Sequence, residues 1–480
     1  MKRSLRGPGL VALPLFAAAT VSAQQTPGLS LEPCEIGGVE GPTECGTLTV
    51  YEDREARSGR MLELKVVVVV ASDPNPEPDP IYVLTGGPGS GATGSADGAS
   101  GSPLRAKRSY VLMDQRGTGA SNGLFCLSDD QPLEFFLGPL FNAEQIEWCR
   151  EELEPLADLR LYATSIAMDD LDDLRRELGH EKINLWGTSY GTRAALVYLR
   201  RHGEHVRSAV LNASVSMSQV MPMGMASDAE AAIRNVIHDC AAMPACAAAY
   251  PDLEEDYRRA VAGARSPVQV SIQDPRTGVE TETTMRPEGF AEALRAMLYS
   301  PGATRNIPHL LHLAATEDDY DGFATFGSRR VMSLTRSAAM GLYLSITCAE
   351  DIPFANEAGE YETAKGTFLA DNRARPHFEA CRRWPQGSVP ANFHDEVESD
   401  VPVLLLNGAH DPVTPPSRGS AAASRLRRSF HVVVPHGGHG FGGLEGADCV
   451  SRIRRSFVED PTNEPDTACL ADIRRQPFRD

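Results

Sequence analysis

The chain has 480 residues, 42% of them apolar, and a formal net charge of −19 from 46 basic and 65 acidic side chains. An acidic excess of that size repels nucleic acid and anionic lipid, and no basic stripe interrupts it, so neither is an expected partner. The length exceeds what one compact core usually holds and implies two or three units, or one core with a large insertion.

The first residues combine a charged start (Met1-Lys2-Arg3), an apolar run from Gly9 to Val21 and a small-residue cut at Val21-Ser22-Ala23. That pattern predicts a signal peptide over residues 1–23 and export to the periplasm or beyond. Pro14 and the short apolar length argue against a spanning helix, no Cys stands at the cut for a lipid, and no later segment could span a bilayer, so no stable membrane anchor is expected. An oxidising compartment turns cysteines into disulfides. The ten cysteines fall as sequence neighbours, and short spacing motivates five sequential bridges: Cys34–Cys45, Cys126–Cys149, Cys240–Cys246, Cys348–Cys381 and Cys449–Cys469. No CxxC occurs, and no metal site is expected.

β-Branched and continuous apolar runs predict strands over Gly46 to Tyr51, Leu62 to Val70 and Ile81 to Leu84, the last running into Gly86-Gly87-Pro88-Gly89. Another strand, Ser109 to Met113, ends in Asp114-Gln115-Arg116-Gly117-Thr118-Gly119. Gly89, Gly91 and Gly94 spell GxGxxG, with Asp114 ending the following strand in the position of a ribose-binding acid. A dinucleotide fold would need a helix between these strands, and Gly98, Gly101 and Pro103 interrupt the stretch where it should lie. The lysine of a phosphate-binding loop is missing as well, so no cofactor is expected.

Thr164 to Leu178 reads as an amphipathic helix with acids early and Arg175-Arg176 late. Its Asp169-Asp170 and Asp172-Asp173 clusters read as solvated faces rather than sites. A strand beginning at Ile183 passes through Gly187-Thr188-Ser189-Tyr190-Gly191 into a helical run from Arg193 to Leu199, and Val206 to Leu211 follows as a buried strand. Strands alternating with helices predict a mostly parallel α/β sheet covered on both faces. From residue 213 helical stretches dominate (Asp228 to Ala241, Glu254 to Ala262, Pro287 to Leu298), broken by a β-like interlude from Val268 to Thr284. Core-type strands return at Val401 to Leu406 and Phe430 to Val434. The expected organisation is a core over residues 24–212, a mainly helical cap over 213–399, and a second part of the core over 400–480.

Strand, tight turn and helix around Ser189 form a nucleophile elbow, with glycines where side chains would collide and the hydroxyl exposed above the sheet. Ser121, in Gly119-Ala120-Ser121-Asn122-Gly123, matches the same pattern but lacks the strand and helix, and reads as a turn residue. A serine hydroxyl needs an imidazole to take its proton and a carboxylate to orient that imidazole, and in α/β-hydrolases these follow in the order Ser, acid, His. Asp411 stands in the loop after the strand ending at Leu406, and the next strand leads to Pro435-His436-Gly437-Gly438-His439-Gly440, with two candidate imidazoles.

On these stretches the chain resembles the proline iminopeptidase and tripeptidyl aminopeptidase-like serine peptidases of the α/β-hydrolase fold. Gly86 to Gly89, Asp114 to Gly119, Gly187 to Gly191, Gly408 to Pro412 and Gly438 to Gly440 carry the likeness, with Cys348-Ala349-Glu350-Asp351, Cys381 to Pro385 and the Cys449 to Cys469 segment matching secreted members. The resemblance implies Ser189 as nucleophile, Asp411 as orienting acid and His439, rather than His436, as base. Thr85 departs from the His that many proline iminopeptidases place before Gly-Gly-Pro-Gly, which tells against strict proline preference. The backbone N–H of Tyr190 and that of Gly87 are the expected oxyanion donors. For an aminopeptidase, cap carboxylates would meet the substrate ammonium, Glu350 first and Asp351 second. The expected substrate is a peptide, with a small ester as the alternative.

Overall fold

The computed structural model describes residues 26–128 and 130–479; the expected signal peptide, residues 1–23, lies outside them. The sheet strands are β1 (Gly28–Cys34), β2 (Thr43–Tyr51), β3 (Met61–Val69), β4 (Ile81–Leu84), β5 (Tyr110–Met113), β6 (Ile183–Thr188) and β7 (Val206–Asn212). A separate antiparallel hairpin, β8 (Val268–Gln273) with β9 (Glu280–Met285), precedes the last two, β10 (Val403–Gly408) and β11 (Ser429–Val434). Nine strands form one sheet in the order β1-β2-β3-β5-β4-β6-β7-β10-β11. An antiparallel meander, β1 to β3, borders six mutually parallel strands from β5 to β11.

The central strands are buried on both faces, which is why they read as continuous apolar runs rather than alternating ones. All four residues of β5 and all six of β10 are buried. Alternation still sorts them: Leu405 joins Leu64, Tyr82 and Leu196 on one face, and Leu404 joins Val67, Leu112 and Phe457 on the other. Strand β1 has no residue that is fully buried. Its Gly28 and Pro33 depress strand propensity, so its place is set by pairing with β2 and by the Cys34–Cys45 bridge rather than by a pattern of its own.

Between β7 and β10 the chain is mainly helical, and its packing divides. Helices Met225–Ala242, Leu253–Gly263, Pro287–Met297 and Asp321–Ser337 share a core of their own around Ile233, Leu294 and Phe323. The Met340–Glu350 helix instead sends Leu342 and Ile346, with Trp384 and Phe393, into the core under the sheet. The ten cysteines pair in the five sequential bridges expected, with Cα–Cα distances of 5.1 to 5.7 Å. Among the described residues no helix is long and apolar enough to cross a membrane.

The stretch after β4 contains a single helical turn, Ala96–Ser100, that stops at Gly101, followed by a 3-10 turn at Pro103–Ala106. Asp114 is no free ribose acceptor: its carboxylate accepts from the Thr93 N–H (2.8 Å), the Thr93 hydroxyl (3.0 Å) and the Ala120 N–H (3.1 Å), bracing two loops. The acids of the Thr164–Glu177 helix correct the solvated-face reading. Asp170 is fully buried, holding both Nε (2.6 Å) and Nη2 (2.9 Å) of the equally buried Arg116, and Asp172 pairs with Arg175 at 2.7 Å. Asp170 faces inward because the Asp114-Gln115-Arg116 turn delivers a guanidinium that must be neutralised there, while Asp169 and Asp173 stay part-exposed, paired with Arg201 and Arg54.

Candidate active site

Ser189 sits between the end of β6 and the helix Tyr190–His202, at φ +57° and ψ −125°, a conformation L residues rarely adopt. The turn is held by bonds on both sides: Ser189 N–H donates to the Asn212 carbonyl (2.9 Å) and Thr192 N–H to the Ser189 carbonyl (2.8 Å). A Cβ at Gly191 would lie 2.1 Å from the Leu84 carbonyl oxygen, so only glycine lets the helix start so close to β4. Ser121 is elsewhere, fully buried, with its hydroxyl accepting from the Lys65 N–H at 2.8 Å.

His439 Nε2 lies 2.9 Å from the Ser189 hydroxyl oxygen, and His439 Nδ1 lies 2.9 Å and 3.1 Å from the two Asp411 carboxylate oxygens. Asp411 is fixed in turn by the N–H groups of Val413 (2.8 Å) and Thr414 (2.9 Å) and by the Thr414 hydroxyl (2.7 Å). Burial pushes its carboxyl up, but the His439 imidazole and these hydrogen bonds outweigh burial and hold it below the ordinary carboxylate range. The loop of His439 is pinned by Gly440 N–H donating to the Tyr299 carbonyl (2.9 Å), and a Cβ at Gly438 would lie 2.7 Å from that same oxygen. The Tyr299 ring packs edge-on against His439 at 4.9 Å. His436 points away, its Nδ1 3.2 Å from Asp239. An imidazole aligned this way can take the hydroxyl proton while the carboxylate fixes its tautomer and stabilises the imidazolium.

Gly87 lines the cavity with Ser189, and Tyr190 is the first residue of its helix, so its N–H has no intrahelical acceptor. The Tyr190 ring turns inward, its hydroxyl 2.8 Å from that of Thr164. Thr85 braces the glycine loop, its hydroxyl donating to the Ser90 carbonyl at 2.7 Å.

Glu350 and Asp351 are not brought to this cavity, a correction to the ammonium-binding expectation. Both are fully buried and held by Arg193, whose Nη1 lies 3.0 Å from Asp351 and 3.8 Å from Glu350; Glu350 also accepts from the Thr164 N–H at 2.6 Å. Burial pushes both carboxyls up, Glu350 to about 7, against the pull of Arg193. One guanidinium serves two buried carboxylates, so the pair titrates as a unit in which the protonated form is favoured.

The cavity over Ser189 measures about 330 Å³. Sequence reading missed its charged lining: Glu292, Arg295, Arg330 and Arg373. The one local hint was Glu292 and Arg295, three residues apart on the Pro287–Met297 helix among Phe290, Ala291, Leu294 and Met297, with Arg295 buried. Among the described residues one group, Asp239 with His410 and His436, could present three ligand atoms to a metal. Arg475 already lies 2.6 Å from the same Asp239 oxygen that faces both imidazoles, so that carboxylate has a cationic partner.

Residues 79–246 match the family model described as alpha/beta hydrolase fold, and residues 367–469 match the model described as TAP-like protein. The chain is similar to the serine protease Hip1 of Mycobacterium tuberculosis, 23% identical across 90% of this chain and 88% of that one. It is also similar to a tripeptidyl aminopeptidase of Streptomyces coelicolor, 28% identical across 42% of this chain and 41% of that protein. A solved proline iminopeptidase of Mycobacterium smegmatis aligns over 82% of this chain and 91% of its own, at 18% identity and a TM-score of 0.36.

Proposed function

We propose that the chain is a serine peptidase releasing N-terminal residues or short peptides through an acyl-enzyme on Ser189, a reading supported by the match of residues 79–246 to the alpha/beta hydrolase fold and by serine peptidases among the relatives it is similar to. The observation that carries the reading is the unbroken chain of contacts from Ser189 through His439 to Asp411, at 2.9 Å on each side of the imidazole. Attack of the hydroxyl on a carbonyl passes its proton to His439, which returns it to the departing amine. The developing oxyanion is received by the N–H groups of Gly87 and Tyr190. Water then repeats the cycle on the ester and frees the enzyme. Asp411 stays ionised and holds the imidazole in place throughout. The five disulfides and the leader-like first residues support an exported enzyme.

A carboxylesterase is the second reading, favoured by one feature: among the described residues, the one carboxylate lining the cavity, Glu292, and the buried Glu350 and Asp351 already face arginines. Glu350 and Asp351 face Arg193, and Glu292 lies between Arg295 and Arg373. Alanyl and prolyl p-nitroanilides and tripeptide p-nitroanilides, run beside p-nitrophenyl acetate and butyrate, separate the two. Turnover of the anilides supports the peptidase, and ester turnover with every anilide inert would replace it by the esterase.

A further inference from the structure

A chain with a net charge of −19 places three arginines and one carboxylate in the wall of the cavity above Ser189. Glu292 is shared: Arg373 Nη1 lies 3.2 Å from its Oε1, and Arg295 Nη1 lies 3.5 Å from its Oε2. The cluster is incompletely satisfied: Glu292 Oε1, Arg295 Nε and Arg373 Nε are all buried without a well-aligned hydrogen-bond partner. Two guanidinium groups against one carboxylate leave a positive charge unmatched in a place where unmatched charge is costly. The neighbouring His377 adds no charge of its own. Burial and the cations of Arg373 and Arg295 push its imidazole down to about 3, leaving a neutral ring.

Arg330 adds a further cation, this one reached by solvent. It is exposed on the Asp321–Ser337 helix, lines the same cavity and forms no ion pair among the described residues; its one aromatic neighbour is Tyr299, with the guanidinium 5.8 Å from the ring centre. Arg295 lies 5.3 Å from the centre of that ring and donates to its hydroxyl at 3.0 Å, while the ring edge meets His439. One tyrosine therefore separates both guanidinium groups from the imidazole beside Ser189. The rest of the wall is largely apolar, with Leu127, Phe135, Leu140, Val331 and Met340, so an anion entering would find little other polar competition.

We propose that this cavity selects substrates carrying a carboxylate close to the scissile bond, such as an aspartyl or glutamyl side chain in a peptide, with Arg330 as its ion-pair partner and Arg295 supplying the field behind it. A carboxylate there neutralises the excess charge and can be held by the planar guanidinium through two parallel hydrogen bonds. The inference rests on Ser189 being the nucleophile of this cavity, whichever leaving group it serves.

The test uses alanine hexapeptides carrying a single Glu or Gln at each position in turn, with cleavage followed by mass spectrometry. It adds p-nitrophenyl hexanoate beside the mono-p-nitrophenyl ester of adipic acid. The expected result is a preference in kcat/KM of about tenfold or more for the carboxylate member of at least one pair, as for a charged hydrogen bond, with that ratio falling toward one in Arg330→Gln. Equal turnover of both members of every pair by the unaltered enzyme, or a preference undiminished in Arg330→Gln, would overturn the proposal. Turnover of nothing, with Ser189→Ala indistinguishable from the unaltered protein, would instead remove the nucleophile assignment beneath it.

Discussion

His439 and His436 are three positions apart, and their surroundings make them opposite in consequence. Only His439 joins Ser189 to Asp411; His436 faces Asp239. His439→Ala is therefore expected to lower kcat/KM by at least about 10⁴-fold, as is Ser189→Ala, while His436→Ala keeps most of the activity. Parallel kinetics on the three variants check this, and loss in His436→Ala with retention in His439→Ala would reverse the roles. Buried charge gives two further expectations. Asp170→Ala strands the fully buried Arg116 and should cost about 3 to 5 kcal/mol in urea unfolding. Glu350 titrates in the other direction from a paired acid: its carboxyl rises from 4.5 to about 7 on folding, so the folded state binds the extra proton. Its contribution is fully present below about pH 4.5 and lost as pH rises to about 7, up to about 3 kcal/mol. Glu350→Gln should flatten that part of the stability profile, measured as urea midpoints across the window; an unchanged slope would place the proton elsewhere.

At the scale of elements, the site is three loops brought together at the same ends of parallel strands: the elbow after β6, the Asp411 loop after β10 and the His439 loop after β11. These were legible because apolar runs precede them, fully buried in β10 and partly so in β6 and β11, and because Gly187, Gly191 and Gly438 mark close approaches that no side chain permits. Elements fixed by long-range contact were not legible. Strand β1 lacks a buried residue to announce it, and the acids of the Thr164–Glu177 helix look solvated until Arg116 arrives from 54 positions away. Glu350 and Asp351 lie away from the cavity for the same reason, since Arg193 reaches Asp351 from 158 positions earlier, on the elbow's own helix. The Cys348–Cys381 bridge ties the Met340–Glu350 helix to the Ala374–Cys381 helix. Replacing both cysteines by alanine is expected to cost about 3 to 4 kcal/mol of stability by freeing a loop of that length in the unfolded chain. Thermal unfolding with and without reductant provides the check, and identical curves would show that the bridge constrains nothing.

At the scale of the molecule, the sheet supplies fixed chemistry and the helices between β7 and β10 supply the wall that chooses the substrate. The sheet's part follows from patterns within single segments. The wall's part, Glu292, Arg295, Arg330 and Arg373, depends on how helices far apart in sequence face one cavity, which no local pattern encodes. Both parts depend on Ser189 being the group that attacks. Labelling the folded enzyme with a fluorophosphonate and mapping the adduct by mass spectrometry tests that most directly. One adduct per chain is expected, on the peptide containing Ser189, lost in His439→Ala and retained in His436→Ala. An adduct on another serine such as Ser121, or labelling of Ser189 at full rate without His439, would contradict it.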